Sequence, residues 1–298
     1  MSQCENLRKD LESKSIVKVC GAYDSMSAKL VEFNGFDAVW AGSFAISATH
    51  NVPDASILTM TEFFTAASNM ANACKIPVIA DCDTGYGDAT NVRYMVKKYE
   101  SAGIAGICIE DKTFPKQNSL LKGGNNQLLS EKDFAAKILA ANEAKQNEAF
   151  TVIARIEALI SGIGIEQALQ RAYAYEKAGA DLILIHSKKI TPEEIFEFSD
   201  SWKGSAPLVV IPTTYYSVNV DELIEHKIKM VIYANQTLRV AHMAMNRLLQ
   251  ELIKAEHISD IKDKISTMQD IFNLQEMYDI KNKEKKLEEE LKRLGYIN

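Results

Sequence analysis

Eight short apolar runs rich in β-branched residues, separated by stretches of helical periodicity, limit what this chain can fold into more than any other feature. They are Ile16 to Ala22, Ala38 to Ala41, Val78 to Asp83, Gly106 to Glu110, Val152 to Ile156, Leu182 to His186, Leu208 to Ile211 and Met230 to Tyr233. Runs this short and this continuously apolar read as strands covered on both faces, and amphipathic stretches such as Asn91 to Ala102 and Glu166 to Ala178 supply the cover. The segments "KYESAGIAGICIE" and "AYEKAGADLILIH" repeat one pattern, a helix closed by Ala-Gly and then a buried strand, with Gly103 and Gly179 expected as left-handed caps. Alternating βα units with right-handed crossovers close most simply into a (β/α)8 barrel of the TIM type; a doubly wound open sheet is the rival.

A length of 298 residues holds one barrel and a tail. The expected division is a catalytic barrel over residues 1–256 and a helical tail over 257–298. The Lys/Glu-rich "KEKKLEEELKRL" near the end reads either as a solvated helix or as a helix exchanged between subunits. A formal net charge of -6 without basic clusters supplies no footprint for nucleic acid. Five cysteines with no C-x-x-C pair give neither a disulfide framework nor a zinc knuckle and read as reduced core thiols. The N-terminus is charged where a signal peptide would be apolar, and no run of about 18 apolar residues occurs, so a cytoplasmic protein acting on a small molecule, with no membrane partner, is expected.

In a barrel the reactive face lies at the C-terminal ends of the strands. Here those ends are polar: "ADCDTGYGD", "IED", "ARIE", "IHS", "PTT" and "YAN". Asp81 and Asp83, two apart, are expected to project from one face of their strand, with Glu110 closing the neighbouring strand. Carboxylates brought that close either raise their pKa values or hold a cation, and an all-oxygen set suits Mg²⁺ or Mn²⁺. Arg155 offers a fork for an oxyanion or a partner for Glu157. His186 is either a donor to developing charge or a satisfied rim histidine. The connection Lys112 to Ser130 is far longer than the usual two to six residues and carries Lys112, Lys116 and Asn118 beside Phe114 and Leu120, with a hinge at Gly123-Gly124-Asn125-Asn126. It reads as a lid that brings donors to an anion while excluding water. Asp54, in a second long loop, would by itself read as a turn or helix-entry residue.

These motifs, "DCDTGYGD", "EDKTFPKQNS", "ARIEALISGIG", "AGADLILIHSKK" and "PTTYY", make the chain similar, from about Val19 to about Gln275, to the phosphoenolpyruvate mutase family of the isocitrate lyase superfamily. The resemblance implies a metal-dependent barrel with its last helix exchanged between subunits, assembled as a dimer or dimer of dimers. It matches Asp81 to the family's direct Mg²⁺ ligand, and Asp83, Glu110 and Asp54 to carboxylates that hold metal waters, Asp54 also to a proposed nucleophile. It matches Arg155 to the phosphoryl-binding arginine, His186 to a neighbour of the transferring group, Lys116 and Asn118 to lid residues, and Trp40 to a tryptophan beside the substrate. The implied activity interconverts phosphoenolpyruvate and 3-phosphonopyruvate, the entry to phosphonate biosynthesis.

One stretch departs from the family. Its usual W-G-S-G-[LF] becomes Trp40-Ala41-Gly42-Ser43-Phe44, so Gly and Ser have exchanged places. The resemblance assigns the substrate carboxylate to backbone amides of Gly42, Ser43 and Phe44, and the exchange removes the hydroxyl contact expected at Gly42. Phosphonopyruvate hydrolase, with Thr at the position of Asn118, is the rival activity. A C-C lyase would need a lid cysteine that is absent, and a barrel that binds without turnover would leave the lid and rim residues unexplained.

Overall fold

In the computed structural model, which describes residues 1–297, eight parallel strands form a closed barrel in sequence order. They are β1 (Val17–Ala22), β2 (Ala38–Ala41), β3 (Val78–Asp81), β4 (Gly106–Glu110), β5 (Thr151–Ile156), β6 (Leu182–Ile185), β7 (Leu208–Val210) and β8 (Ile228–Tyr233). β8 pairs back onto β1 from Val17↔Met230 to Cys20↔Tyr233, so no edge strand remains. The expected (β/α)8 barrel is what forms, and the open sheet is excluded.

Strands this short hold because almost every side chain on them is buried. Ile79, Ile107, Ile153, Ile183, Val209 and Ile232 are all fully enclosed between barrel interior and helices. Burial of each such side chain contributes about 1.5–3 kcal/mol. The helices Ala89–Ser101 and Ile165–Lys177 end at Ala102 and Ala178, and the glycine after each takes a left-handed φ, +81° at Gly103 and +96° at Gly179. Those glycines turn the chain directly into β4 and, after Asp181, into β6. All five cysteines are buried and unpaired.

Two expectations need correction. β3 stops at Asp81, and Asp83 lies beyond it with a left-handed φ of +50°, so strand alternation does not aim the two carboxylates. The turn does that work: the Asp83 amide approaches Asp81 Oδ1 at 3.3 Å, and its carbonyl accepts from the Glu110 amide at 2.7 Å, which fastens the turn to the end of β4. Lys112 is also not free to serve as a lid donor to a bound anion. It is fully buried, and its ammonium donates to the Gln117 carbonyl and the Ser119 hydroxyl at 2.7 and 2.8 Å, holding the lid's own bend.

By internal contacts the chain forms two units, Met1–Leu238 and Arg239–Asn298. The first contains the barrel. The second consists of most of the helix Gln236–Leu252, a 3-10 turn over Ile258–Lys264 and the helices Met268–Leu274 and Met277–Arg293.

Candidate active site

The polar strand ends meet two loops at the C-terminal mouth of the barrel. The lid runs back alongside its own start, with Lys112 bridged antiparallel to Leu128 and the Thr113 amide donating to Gln127. Between them the segment around Lys116 turns inward and docks on the loop that carries Asp54. The Lys116 amide donates to the Ser56 hydroxyl at 3.0 Å, Lys116 Nζ reaches Asp54 Oδ1 at 2.6 Å, and Asn118 Nδ2 donates to Asp54 Oδ2 at 2.7 Å. Lys116 Nζ also lies 3.0 Å from Asp83 Oδ1. Asp54, an unremarkable turn residue by sequence alone, is therefore where the lid is fastened.

Electrostatics make this contact strong. Burial works against the Lys116 charge, but Asp83 and Asp54 outweigh it and hold the ammonium firmly protonated. Burial pushes the Asp83 carboxyl up to about 7; Lys116 pulls it down, while Asp81, Asp54 and Glu110 push it further up. Asp83 Oδ1 and Glu110 Oε1 are enclosed, the first facing the Lys116 ammonium at 3.0 Å and the second only the Lys112 ammonium at 3.6 Å. Among the described residues no three acidic, histidine or cysteine side chains form a ready-made metal cage. The rim offers instead under-satisfied carboxylate oxygens around Asp81, and such a set fits a hard divalent cation that keeps several of its waters.

Across the mouth, Arg155 at the end of β5 pairs in register with Glu110 of β4. Its Nε donates to Glu157 Oε1 at 2.6 Å and lies 3.4 Å from Glu110 Oε2, while one Nη reaches Ser119 Oγ at 3.2 Å and His186 Nδ1 at 2.8 Å. The pairing of Arg155 with Glu157, one of its two expected readings, is present, and its Nη2 is shared between Ser119 and His186. Glu157 is buried, yet Arg155 and His186 keep its carboxyl well below the usual range. His186 Nδ1 lies 2.8 Å from Glu157 Oε1 as well, and burial together with Arg155 lowers its pKa, so the ring is neutral at pH 7.

Trp40 is fully buried on β2, and the helix Ser43–Thr49 begins just after it with Gly42 as its cap residue. Phe44 is about two-fifths exposed, at 41%. Ser43 does something the sequence does not reveal: its hydroxyl donates to Asp81 Oδ2 at 3.0 Å.

Other supporting residues also escaped sequence reading. Ser119 donates to Glu157 Oε2 at 2.5 Å and accepts from Lys112, so it locks the lid to the Arg155 cluster. Asp111, next to Glu110, accepts from the Glu157 amide at 2.9 Å, from Arg171 Nη1 at 2.9 Å and from the Tyr175 hydroxyl at 2.8 Å. Arg171 also donates to the Leu129 carbonyl, where the lid ends. The helix Ile165–Lys177 thereby holds the base of the lid. Arg171→Leu leaves a buried carboxylate without its cation and should cost about 3–5 kcal/mol, read as a lowered urea midpoint. An unchanged midpoint would show that the network is not a support.

A family model described as phosphoenolpyruvate phosphomutase matches residues 7–253. The chain is 39% identical over 280 residues to the phosphoenolpyruvate phosphomutase of Tetrahymena pyriformis, covering 94% of this chain and 93% of that one. The crystal structure of a phosphoenolpyruvate phosphomutase from Streptomyces platensis subsp. rosaceus superposes with a TM-score of 0.93 at 43% identity, covering 95% of this chain and 98% of the other. A phosphonopyruvate hydrolase crystallised with oxalate and Mg²⁺ superposes with a TM-score of 0.89 at 38% identity, covering 95% and 98%.

Proposed function

The chain belongs to the phosphoenolpyruvate phosphomutase family, and from that premise we propose that it is an isomerase interconverting phosphoenolpyruvate and 3-phosphonopyruvate. The phosphoryl group moves between the enolate oxygen and the adjacent carbon of one molecule. The observation that carries this reading is the docking of Lys116 and Asn118 on Asp54, which brings an ammonium and an amide to the carboxylate cluster, as a lid that is to exclude water requires.

Mg²⁺, with Mn²⁺ as a substitute, belongs on Asp81, with Asp83, Glu110 and Asp54 holding its waters. The crowding of Asp81, Asp83 and Glu110, where the enclosed Asp83 Oδ1 and Glu110 Oε1 meet only the Lys116 and Lys112 ammoniums among the described residues, and the Mg²⁺ complex of a related hydrolase support that placement. When bound, the ion supplies positive charge to the carboxylate and enolate oxygens of the pyruvate unit. The protein does the rest. Gly42, Ser43 and Phe44 present backbone amides to the substrate carboxylate, beside Trp40. A loose, metaphosphate-like phosphoryl group needs donors around its equatorial oxygens. Arg155 and the Asn118 amide provide them, and the neutral His186 ring adds a third donor where Nδ1 accepts from Arg155 and the proton sits on Nε2. Glu157 fixes the plane of the Arg155 guanidinium, so the donors are oriented before substrate arrives.

Hydrolysis of phosphonopyruvate is the second reading, favoured by the 38% identity to the hydrolase. A coupled assay separates the two. With phosphonopyruvate and lactate dehydrogenase alone, NADH should persist; adding pyruvate kinase and ADP should consume it, because only phosphoenolpyruvate needs that step. NADH loss without pyruvate kinase would favour hydrolysis.

If the lid works as described, trypsin cleavage between Lys112 and Ser130 should slow several-fold when Mg²⁺ and oxalate, an enolpyruvate mimic, are added, because ligand charge favours the docked Lys116. Equal cleavage rates with and without ligand would remove lid closure from the account.

We also read the protein as a homo-oligomer, a dimer or dimer of dimers, with the last helix of the barrel, the one that follows β8, exchanged between subunits. The helix Gln236–Leu252 buries none of its residues and exposes Val240, Met243, Leu249 and Leu252, a face that wants cover. Among the described residues no helix is long and apolar enough to cross a membrane, and we place the enzyme in the cytoplasm.

A further inference from the structure

We infer that Ser43 is a positioning residue for Asp81: its hydroxyl fixes the carboxylate that the reading above makes the cation's direct ligand. The inference rests on that metal reading but concerns a residue whose side chain the family resemblance leaves without a role. Ser43 is buried, and its Oγ donates to Asp81 Oδ2 at 3.0 Å. The other oxygen, Oδ1, is approached by the Asp83 amide at 3.3 Å. Asp81 is the last residue of β3, paired in register with Cys108 of β4, so its backbone is fixed by the sheet while its side chain depends on other partners. These two donors set the plane of the carboxylate before any cation arrives.

The hydroxyl stands one residue later here than in the family pattern. A Cβ at Gly42 would lie 3.1 and 3.2 Å from two atoms of the Trp40 indole, so a side chain there needs the ring to give by a few tenths of an ångström. A hydroxyl one residue later avoids the indole and meets Asp81 instead. The chain has moved its hydroxyl from the substrate side of this stretch to the metal-ligand side.

Outer hydrogen bonds of this kind typically change metal affinity by about 10–100-fold when removed. Mn²⁺ binding to the purified full-length protein, followed by the electron paramagnetic resonance signal of free Mn²⁺ without substrate, reads the effect directly. Ser43→Ala should raise the Mn²⁺ Kd by about tenfold with an unchanged melting temperature in the absence of metal. Ser47→Ala, one turn along the same helix and also buried, should leave the Kd at the wild-type value. A Ser43→Ala Kd within about twofold of wild type, or an equal rise in both variants, would overturn the inference while leaving the metal site standing. A wild-type protein that binds no Mn²⁺ would overturn the metal reading and this inference together.

Discussion

Asp81→Ala should lower turnover by more than about a thousandfold while the barrel stays folded. Loss of one neutral donor to developing charge costs about 10²–10³ in kcat, and here the group lost is the anchor for a doubly charged ion. Without that ion an anionic substrate meets Asp54, Asp83 and Glu110, whose neighbouring cations, Lys116, Lys112 and Arg155, are already engaged by carboxylates. The fold should not suffer. Asp81 ends its strand, and its side chain engages just the Ser43 hydroxyl and the Asp83 amide. Removing one of several crowded carboxylates also relieves the repulsion that helps push Asp83 up to about 7. The melting temperature of metal-free Asp81→Ala should therefore equal or exceed that of wild type. Near-normal turnover at ordinary Mg²⁺ would contradict the metal assignment, and a collapsed melting temperature would mean that the carboxylate is structural.

Asn118→Thr should abolish most mutase activity and shift the remaining turnover toward pyruvate and phosphate. A phosphoryl group that has left carbon must reach the enolate oxygen before water reaches it. Asn118 lies on the lid with its amide nitrogen 2.7 Å from Asp54, and its own oxygen accepts from the Leu120 amide at 3.0 Å, which fixes the orientation of the amide. A side chain held at both ends fills its space. Threonine is shorter, cannot make both contacts, and leaves a volume in which its hydroxyl can orient a water. The ratio of phosphate to phosphoenolpyruvate, measured from phosphonopyruvate, should rise by about tenfold or more; removal of a positioned group is commonly worth about 10²–10⁴ in rate. An unchanged ratio would move the choice between transfer and hydrolysis to another residue, with the Gly42-Ser43 stretch the next to examine.

The strands were readable from sequence because a parallel barrel buries both faces of each one, and continuous apolar runs bounded by polar residues carry that signal locally. The left-handed caps at Gly103 and Gly179 were readable for the same reason, since the Ala-Gly ending is a local requirement of the helix end. Asp83 shows where local reasoning fails. Its place in the cluster was expected from strand alternation, but it comes from a left-handed turn fastened to β4, which no periodicity encodes. Lys112 reads from sequence as a lid donor to an anion, whereas it is buried with Glu110 and Glu157 each 3.6 Å away. Ser56, Ser119, Asp111, Arg171 and Tyr175 gave no signal, because each acts through a partner far away in sequence. The Ser43 hydroxyl is a related case: the exchange with Gly42 was visible, but its bond to Asp81 joins residues 38 apart in sequence.

The central claim is that phosphoryl transfer stays within one molecule under a closed lid. The most direct test is ³¹P NMR of the wild-type protein with phosphonopyruvate and Mg²⁺. The phosphonate signal should be replaced by that of phosphoenolpyruvate with little free phosphate, and Mg²⁺ chelation should stop the change. Accumulation of phosphate as the main product would contradict the claim and make the protein a hydrolase.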